Sequence, residues 1–400
     1  MRRPSRGRRP IGPRLTVFGF GLLLLLTGCS PLYVIRAGWS QAKIMRSRVP
    51  LTQVMTDPAG DPARQAKLRL AWDARAFAVE ELGFENTGDS YTSYAELQSD
   101  TLAMVLSAAY PDRLAFRTWW FPIVGHVPYR AYFSLEAGEA ARAELENEGF
   151  DTYLRPTGAF STLGWFADPL YSSIVGRDEV ALVETVFHEL AHNHLYVPGR
   201  GRFNESFATF VGNVAAVRFF CTRAGGGTDT VKCRRARDRW EDALDISRFI
   251  DALEEEILNL YSRRREALGE TKNEPQENAP QPTEEFLAVR DSMYAAAQSR
   301  FVDEIQPGLR ASTYSYLASE PLNNATFLAR SLYVHRLPEF DTFWERWEGD
   351  FPAMMGWVRE AAPETDDPFA VLAQTGVGTA RGTSTGFLVG APWTPPGSGL

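Results

Sequence analysis

Two histidines and a glutamate, His188, Glu189 and His192, are the residues of this chain whose types and spacing point most clearly to chemistry. Only five histidines occur in 400 residues, yet two of them flank a glutamate in an HExxH pattern. Residues four apart on a helix lie on one face about one turn apart, so both imidazoles can bind one metal ion. Glu189 lies one position off that face, where its carboxylate can take a proton from water without binding the metal. The pattern predicts a catalytic zinc site with one coordination position left open for water.

The elements needed to position this motif are also visible in the sequence. Residues 180–187 contain no helix breaker and lead directly into the motif, whereas Pro198 marks the end of the helix. Asn204 is expected at the N-cap of a second helix that carries Glu205. Two helices joined by so short a turn pack side by side, which would bring Glu205 back to the two histidines.

The predicted site therefore binds one Zn²⁺ per chain. His188, His192 and Glu205 are its expected protein ligands, and Glu189 is the expected general base. The alternative is a surface helix with an accidental HExxH pattern, but the second helix with Glu205 would then have to be a coincidence as well.

The motifs HELAH at 188–192 and NESFA at 204–208 resemble those of the gluzincins, zinc peptidases in which two histidines and a downstream glutamate bind the metal. Together with the segments at 158–170, 122–133 (PIVGHVPYRAYF) and 321–325 (PLNNA), they resemble a family of bacterial aminopeptidases that are envelope lipoproteins. This resemblance spans most of the chain and implies a zincin-like catalytic domain, aminopeptidase activity and a peptide substrate. Thr209 departs from the better-known gluzincins, which often carry an acidic residue at that position.

The N-terminus has the pattern of a bacterial lipoprotein signal. Six arginines precede an apolar run at 17–26, which is too short to span a membrane. The run ends in Leu26-Thr27-Gly28-Cys29, and cleavage before Cys29 would make this residue the lipid attachment site. We therefore expect a lipid-anchored protein of the cell envelope, on the periplasmic face of the outer membrane. The alternative is an uncleaved anchor helix with a chance cysteine.

The charge balance argues against a nucleic-acid partner. The chain has 42 Lys and Arg against 50 Asp and Glu. Without the six arginines of the signal, 36 basic residues remain against 50 acidic ones, a net charge of −14. An acidic surface of this kind repels the phosphate backbone.

Cys221 and Cys233 are the only cysteines after Cys29, and a glycine-rich stretch lies between them. In an oxidising periplasm they are expected to form a disulfide that closes this loop, although two unpaired thiols are the alternative.

The pattern of helices and strands predicts an α+β fold. It has a small mixed sheet with active-site helices, in a catalytic domain that the resemblance implies is zincin-like, followed by a mostly helical C-terminal part. The expected organisation is a signal at 1–28, a lipid-anchored segment at 29–61, the catalytic domain at 62–220, a helical part at 221–380 with a polar linker at 270–285, and a tail at 381–400.

Residues that would complete a peptidase site are less well defined by the sequence. Residues 155–162 are a possible edge strand for pairing with substrate, and an ordinary core strand is the alternative. A tyrosine or histidine is expected to donate a hydrogen bond to the oxyanion. The possible donors are Tyr314, Tyr316, Tyr333 and His335.

Three functions remain open from these residues. An aminopeptidase needs a carboxylate that binds the free amine of the substrate, and Asp168 is the first choice, with Glu184 as the second. An endopeptidase of envelope proteins uses the same zinc chemistry without this anchor. A non-catalytic lipoprotein is the third possibility, but a structural metal site has no use for Glu189 beside the ligands.

Overall fold

The computed structural model describes residues 46–97, 103–121, 125–132, 134–157, 168–223, 225–269 and 281–374. The signal, Cys29 and the tail at 381–400 lie outside these residues, as does most of the polar linker. No helix of the described ranges combines the length and the apolar character needed to cross a bilayer.

Helices form most of the described structure. They are α1 (Leu51–Met55), α2 (Pro62–Glu80), α3 (Leu135–Asn147), α4 (Ser172–Val175), α5 (Glu179–His194), α6 (Gly201–Thr222), α7 (Val231–Ala267), α8 (Glu284–Arg300), α9 (Ser315–Ser319), α10 (Asn324–Ser331), α11 (Leu337–Glu345) and α12 (Phe351–Ala361). A π-helical turn (Phe301–Ile305) and short 3₁₀ turns complete them.

The strands of the described residues are short and belong to three separate sheets. They are β1 (Val49–Pro50), β2 (Ser93–Ala95), β3 (Ala103–Ala109), β4 (Trp119–Phe121), β5 (Gly125–Val127), β6 (Tyr129–Tyr132), β7 (Asp151–Thr157) and β8 (Leu170–Tyr171). One sheet has the order β1-β2-β8 and is mixed, since β2 pairs antiparallel to β1 and parallel to β8. The second has the order β6-β3-β7 and is antiparallel, and β4 and β5 form a hairpin.

The predicted α+β class is confirmed, and the predicted small mixed sheet is present as β1-β2-β8, but the described residues also contain an antiparallel sheet and a separate hairpin. A run of aromatic and β-branched residues shows that a segment is extended, whereas its partner is chosen by residues distant in the chain. The sequence therefore indicated strands without showing how they are distributed among sheets.

One hydrophobic core contains residues from both the predicted catalytic and the predicted helical part. Phe210 of α6 stacks on Phe340 of α11 with ring centroids 5.3 Å apart, and it also contacts Trp240 of α7 at 6.0 Å. Phe187 of α5 packs against α2 through Phe77, at 6.4 Å. Helices α5 and α6 are thus buried on most sides, which gives the motif a rigid support.

Asn324, in the segment PLNNA, connects the C-terminal helices to the β6-β3-β7 sheet. Its side-chain carbonyl accepts hydrogen bonds from the hydroxyls of Tyr261 and Tyr294, both at 2.7 Å. Its amide donates to the carbonyl of Tyr110, just after β3, at 2.7 Å, and its backbone N–H donates to Asp151 of β7 at 2.9 Å. The fully buried asparagine therefore joins α7, α8, α10 and the sheet at one point.

Candidate metal centre

The HELAH motif occupies the last turns of α5. The helix begins after Asp178, whose carboxylate accepts hydrogen bonds from the N–H groups of Val180 and Ala181, both at 3.1 Å. Such an N-cap satisfies two of the four N–H groups that a helix leaves without partners. His188 and His192 follow on the half-exposed face of the helix, one turn apart, and their ring centroids are 4.9 Å from each other.

Asn204 does not cap the second helix as expected, because α6 already begins at Gly201. Its side chain instead closes the turn between the two helices. The amide donates to the carbonyl of Val197 at 2.9 Å and accepts from the N–H of the same residue at 2.9 Å. This buried pair of hydrogen bonds fixes the start of α6 and hence the position of Glu205.

Glu205 faces both histidines with one carboxylate oxygen. Its Oε2 lies 3.5 Å from Nε2 of His188 and 3.6 Å from Nε2 of His192. These separations are longer than good hydrogen bonds. They match the roughly 3.4 Å between two ligands of a tetrahedral zinc ion with metal–ligand bonds near 2.1 Å. The three donors therefore fit a zinc ion, and within the described residues they form one of two clusters with metal-ligand chemistry.

The charges of these three residues support one another. Burial alone would raise the pKa of Glu205, but the two adjacent imidazoles hold that pKa well below its usual range. Burial disfavours the cation of His192, yet the negative charge of Glu205 raises the pKa of His192 above its usual value. Nδ1 of His192 is buried and has no hydrogen-bond partner among the described residues, so Nε2 is the nitrogen directed at the site.

Two tyrosines lie within the electrostatic reach of Glu189. Burial, followed by the charges of Glu189 and Asp168, raises the pKa of Tyr91. The dense protein around its hydroxyl, followed by the charge of Glu205, raises the pKa of Tyr333, and Glu189 adds to the effect. Both phenols therefore stay protonated at neutral pH and can donate hydrogen bonds. Tyr91 was missed in the sequence because it lies almost 100 residues before the motif and belongs to no recognisable pattern.

Of the four predicted oxyanion donors, the structure brings only Tyr333 to the HELAH histidines. Its ring centroid is 6.1 Å from that of His188. Tyr314 lies near the ion pair of Arg239 with Glu184. The guanidinium carbon of Arg330 lies over Tyr316, 4.4 Å from the centroid of its ring. His335 instead donates a hydrogen bond from Nδ1 to the carboxylate of Asp251, at 2.8 Å.

The turn that carries Tyr333 is held by the residue next to Glu205. The hydroxyl of Ser206, which is fully buried, donates to the carbonyl of Leu332 at 2.9 Å and accepts from the N–H of His335 at 3.2 Å. Asp251 of α7 holds the same turn through His335. The serine of NESFA therefore links the ligand helix to the position of Tyr333.

Asp251, Glu254 and His335 form the second cluster with metal-ligand chemistry. Both carboxylate oxygens of Glu254 accept hydrogen bonds from the guanidinium of Arg202. Asp251 also accepts from the backbone N–H of Arg336, at 3.0 Å. Both carboxylates thus already have hydrogen-bond partners within the protein, so the cluster is explained as a polar network between α6, α7 and the turn.

Glu184 is not free to bind a substrate amine. Its two oxygens accept hydrogen bonds from Nε of Arg239 on α7, both at 2.8 Å. Burial raises the pKa of Glu184, while Arg239 counteracts the effect. The second choice for the amine anchor is therefore wrong, and Glu184 fixes α5 to α7.

Asp168 is half-buried and connected to Tyr91, whose backbone N–H donates to the backbone carbonyl oxygen of Asp168 at 2.8 Å.

Cys221 at the end of α6 and Cys233 at the start of α7 form a disulfide, with Cα atoms 4.9 Å apart. His194, at the end of α5, points away from the ligands into the core. Most of the segment 158–170 lies outside the described residues.

Comparison with known proteins identifies the family of this chain. No curated protein and no solved structure matches the chain. A family model described as Putative aminopeptidase matches residues 32–367. This range contains all the residues of the centre described above and most of the chain, so the protein belongs to the Putative aminopeptidase family.

Proposed function

We propose that the protein is a zinc-dependent aminopeptidase of the cell envelope. The observation that carries the zinc assignment is the approach of a single Glu205 oxygen to Nε2 of both His188 and His192, at 3.5 and 3.6 Å. Two nitrogens and one oxygen at these separations are the ligand set of catalytic zinc sites, which keep a fourth position for water.

Glu189 is the general base of the proposed reaction. A zinc ion held by His188, His192 and Glu205 would supply an acidified water molecule and would polarise the scissile carbonyl. Glu189 accepts the proton of that water as the oxygen attacks the carbonyl carbon, and then delivers the proton to the departing amine nitrogen. Its half-buried position next to the ligands supports this role.

Tyr333 is the proposed donor to the oxyanion that develops on the carbonyl oxygen. Its raised pKa keeps the phenol protonated, and its ring lies beside His188. A neutral donor placed in advance stabilises the transition state more than the substrate, which is what accelerates the reaction.

Asp168 is the proposed anchor for the free amine of the substrate. After burial, the charges of Glu189 and Asp168 both raise the pKa of Tyr91, which indicates that the two carboxylates lie in the neighbourhood of the same phenol. A carboxylate near the base would fix which peptide bond meets the nucleophile. The Tyr91 backbone has a φ of 61°, a conformation uncommon for tyrosine that recurs at functional sites.

The end of β7 is the proposed place for the substrate backbone. Among the described strands β7 pairs with β3, and Asn323 covers the beginning of its other edge by donating to the carbonyl of Thr152 at 3.0 Å. Further along, the charge of Arg155 reaches the Tyr333 hydroxyl. An extended peptide could pair with this end of the strand and reach the metal centre.

Activity on peptides with a free or an acetylated N-terminus tests the proposed specificity. The purified full-length protein should release single residues from free peptides, lose this activity with a chelator and regain it with zinc. Acetylation removes the ammonium and leaves Asp168 without a partner, so cleavage should fall by about 10²-fold or more. Equal cleavage of both peptides at internal bonds would instead indicate an endopeptidase.

Asp168→Asn tests the proposed anchor itself. The variant should raise KM and lower kcat/KM for free peptides while its zinc content stays the same. Asp89→Asn is the matched control, because Asp89 is an exposed aspartate two residues from Tyr91. Equal kinetics of Asp168→Asn and the wild type would remove Asp168 from the site.

A further inference from the structure

The helices that carry the metal ligands run antiparallel, and their register determines which residues face each other. Glu205, near the start of α6, lies opposite His188 and His192, near the end of α5. Gly212 is seven residues, or two turns, beyond Glu205 and therefore on the same face of α6. It lies opposite the preceding turn of α5, between Glu184 and His188.

At Gly212 the two helix backbones are too close for a side chain. A Cβ atom there would lie 2.9 Å from the backbone carbonyl oxygen of Glu184, 3.2 Å from Cβ of His188 and 3.4 Å from the backbone nitrogen of His188. The first distance is shorter than van der Waals contact allows. Two of these three atoms belong to the backbone of α5, so no change of rotamer can relieve the contact, and one helix would have to move.

Helix α5 cannot easily give way. On the α7 side, the Glu184 carboxylate is bound by the guanidinium of Arg239 through contacts of 2.6 to 2.8 Å. Elsewhere Phe187, which is fully buried, packs against α2. A methyl group at position 212 would therefore push α6 away from α5 and take Glu205 with it.

We propose that Gly212 is a positioning residue for the metal centre. By letting α5 and α6 touch at the turn of His188, it sets the separation between Glu205 and the two histidines. This inference rests on the proposed zinc site. In this inference Gly212, which does not bind the metal itself, sets the distance between Glu205 and the two histidines. Zinc affinity depends on that distance, because ligands displaced by a few tenths of an ångström no longer match the metal.

Zinc titration of Gly212→Ala tests this role without needing a substrate. The full-length variant should bind zinc about 10- to 100-fold more weakly than the wild type, the range found when residues supporting metal ligands are changed. With Co²⁺ in place of zinc, its visible absorption bands should shift in position or intensity. If the variant is partly unfolded, all titrations are done in trimethylamine oxide, which favours the folded state.

Two other helical glycines provide matched controls. A Cβ at Gly356 of α12 would meet nothing within 4 Å, so Gly356→Ala should keep wild-type zinc affinity. A Cβ at Gly138 of α3 would lie 3.1 Å from the Leu154 side chain and 3.5 Å from that of Met104, and it would meet no atom of α5 or α6 among these nearest neighbours. Gly138→Ala is thus expected to change stability but not zinc affinity, which separates crowding in general from crowding at the centre.

The outcomes distinguish this inference from the proposed function. The positioning role is supported if zinc binding is weaker in Gly212→Ala but unchanged in Gly356→Ala and Gly138→Ala. Zinc binding by the wild type and by Gly212→Ala with equal affinity would overturn the role of Gly212 and leave the zinc site intact. A wild-type protein that binds no zinc would reject the proposed function, and the positioning role with it.

Discussion

At the scale of single residues, the proposed chemistry depends on the phenol of Tyr333, whose turn is held by Ser206, the residue next to the proposed ligand Glu205. Tyr333 lies beside His188, and the turn that carries it is bound by the hydroxyl of Ser206 through Leu332 and His335. Because a donor is effective only when it is placed before the reaction, the hydrogen bonds of Ser206 should matter to the rate as well as to the fold.

Tyr333→Phe and Ser206→Ala test this link as a pair. Tyr333→Phe should lower kcat about 10²- to 10³-fold without loss of zinc, since one donor to the oxyanion is removed. Ser206→Ala should lower kcat less, because it misplaces the phenol without removing it. The measurement is a double-mutant cycle on kcat and zinc content.

The positioning role predicts that Ser206→Ala has little further effect in the Tyr333→Phe background. Independent, multiplicative losses of kcat in the double variant would show that Ser206 acts by another route. Wild-type kcat in Tyr333→Phe would exclude this tyrosine as the donor.

Spacing along one helix explains which of these residues could be predicted. His188, Glu189 and His192 lie within five residues, so the geometry of a helix alone places them together. Glu205 could be predicted to join them because only one short turn separates its helix from the motif. Tyr91 and Tyr333 are brought to the centre by the tertiary fold, and for Tyr333 the sequence could do no more than include it among four possible residues.

At the scale of the helix, α5 carries a third histidine with a different environment from His188 and His192. His194 is buried two residues beyond the motif, and its Nδ1 accepts a hydrogen bond from the N–H of Glu85 at 2.9 Å. Its Nε2 therefore carries the proton and donates to the carbonyl of Met355 on α12 at 3.1 Å. Burial, and then the charge of Arg359, lowers the pKa of His194, although Met355 and Glu85 act in the opposite direction.

This shift predicts a loss of stability in acid. Above the ordinary histidine pKa of about 6.5, His194 is neutral in both the folded and the unfolded chain and the pH has no effect through it. Below that pH the unfolded chain binds a proton that the folded chain resists, so the free energy of unfolding falls as the pH drops from about 6.5 through the lowered pKa.

Denaturant unfolding of the zinc-free protein between pH 5 and pH 8 measures this effect. His194→Gln should show a smaller decrease in the free energy of unfolding below pH 6.5 than the wild type. The zinc-free form is used because protonation of the ligands would otherwise add its own dependence. The same decrease in both proteins would mean that His194 does not carry this pH dependence.

At the scale of the whole molecule, the fold is tied together by contacts between distant segments. Asn324 bonds to residues of α7, α8, β7 and the end of β3, and a single core includes side chains from Leu51 to Leu372. The α+β class could be predicted because helical periodicity and strand composition are local properties. The three separate sheets and the role of Asn324 could not, because both depend on which distant segments meet.

The membrane anchor is a prediction about the chain as a whole, since Cys29 lies outside the described residues. Cys29→Ser should abolish the incorporation of labelled fatty acid and leave an unprocessed precursor, because the modified thiol is missing. The measurement compares labelling and membrane fractionation of the wild type and the variant. Equal labelling of both proteins would refute a lipid at Cys29.

Zinc content and peptide hydrolysis, measured side by side in three proteins, test the central claim most directly. The wild type should hold about one zinc per chain, and Glu189→Gln should keep that zinc while its kcat falls about 10²- to 10⁴-fold. Glu205→Ala should lose zinc affinity, whereas Glu255→Gln, an exposed glutamate on α7, should match the wild type. Full hydrolysis by Glu189→Gln, or unchanged zinc affinity in Glu205→Ala, would contradict the assignment of this centre.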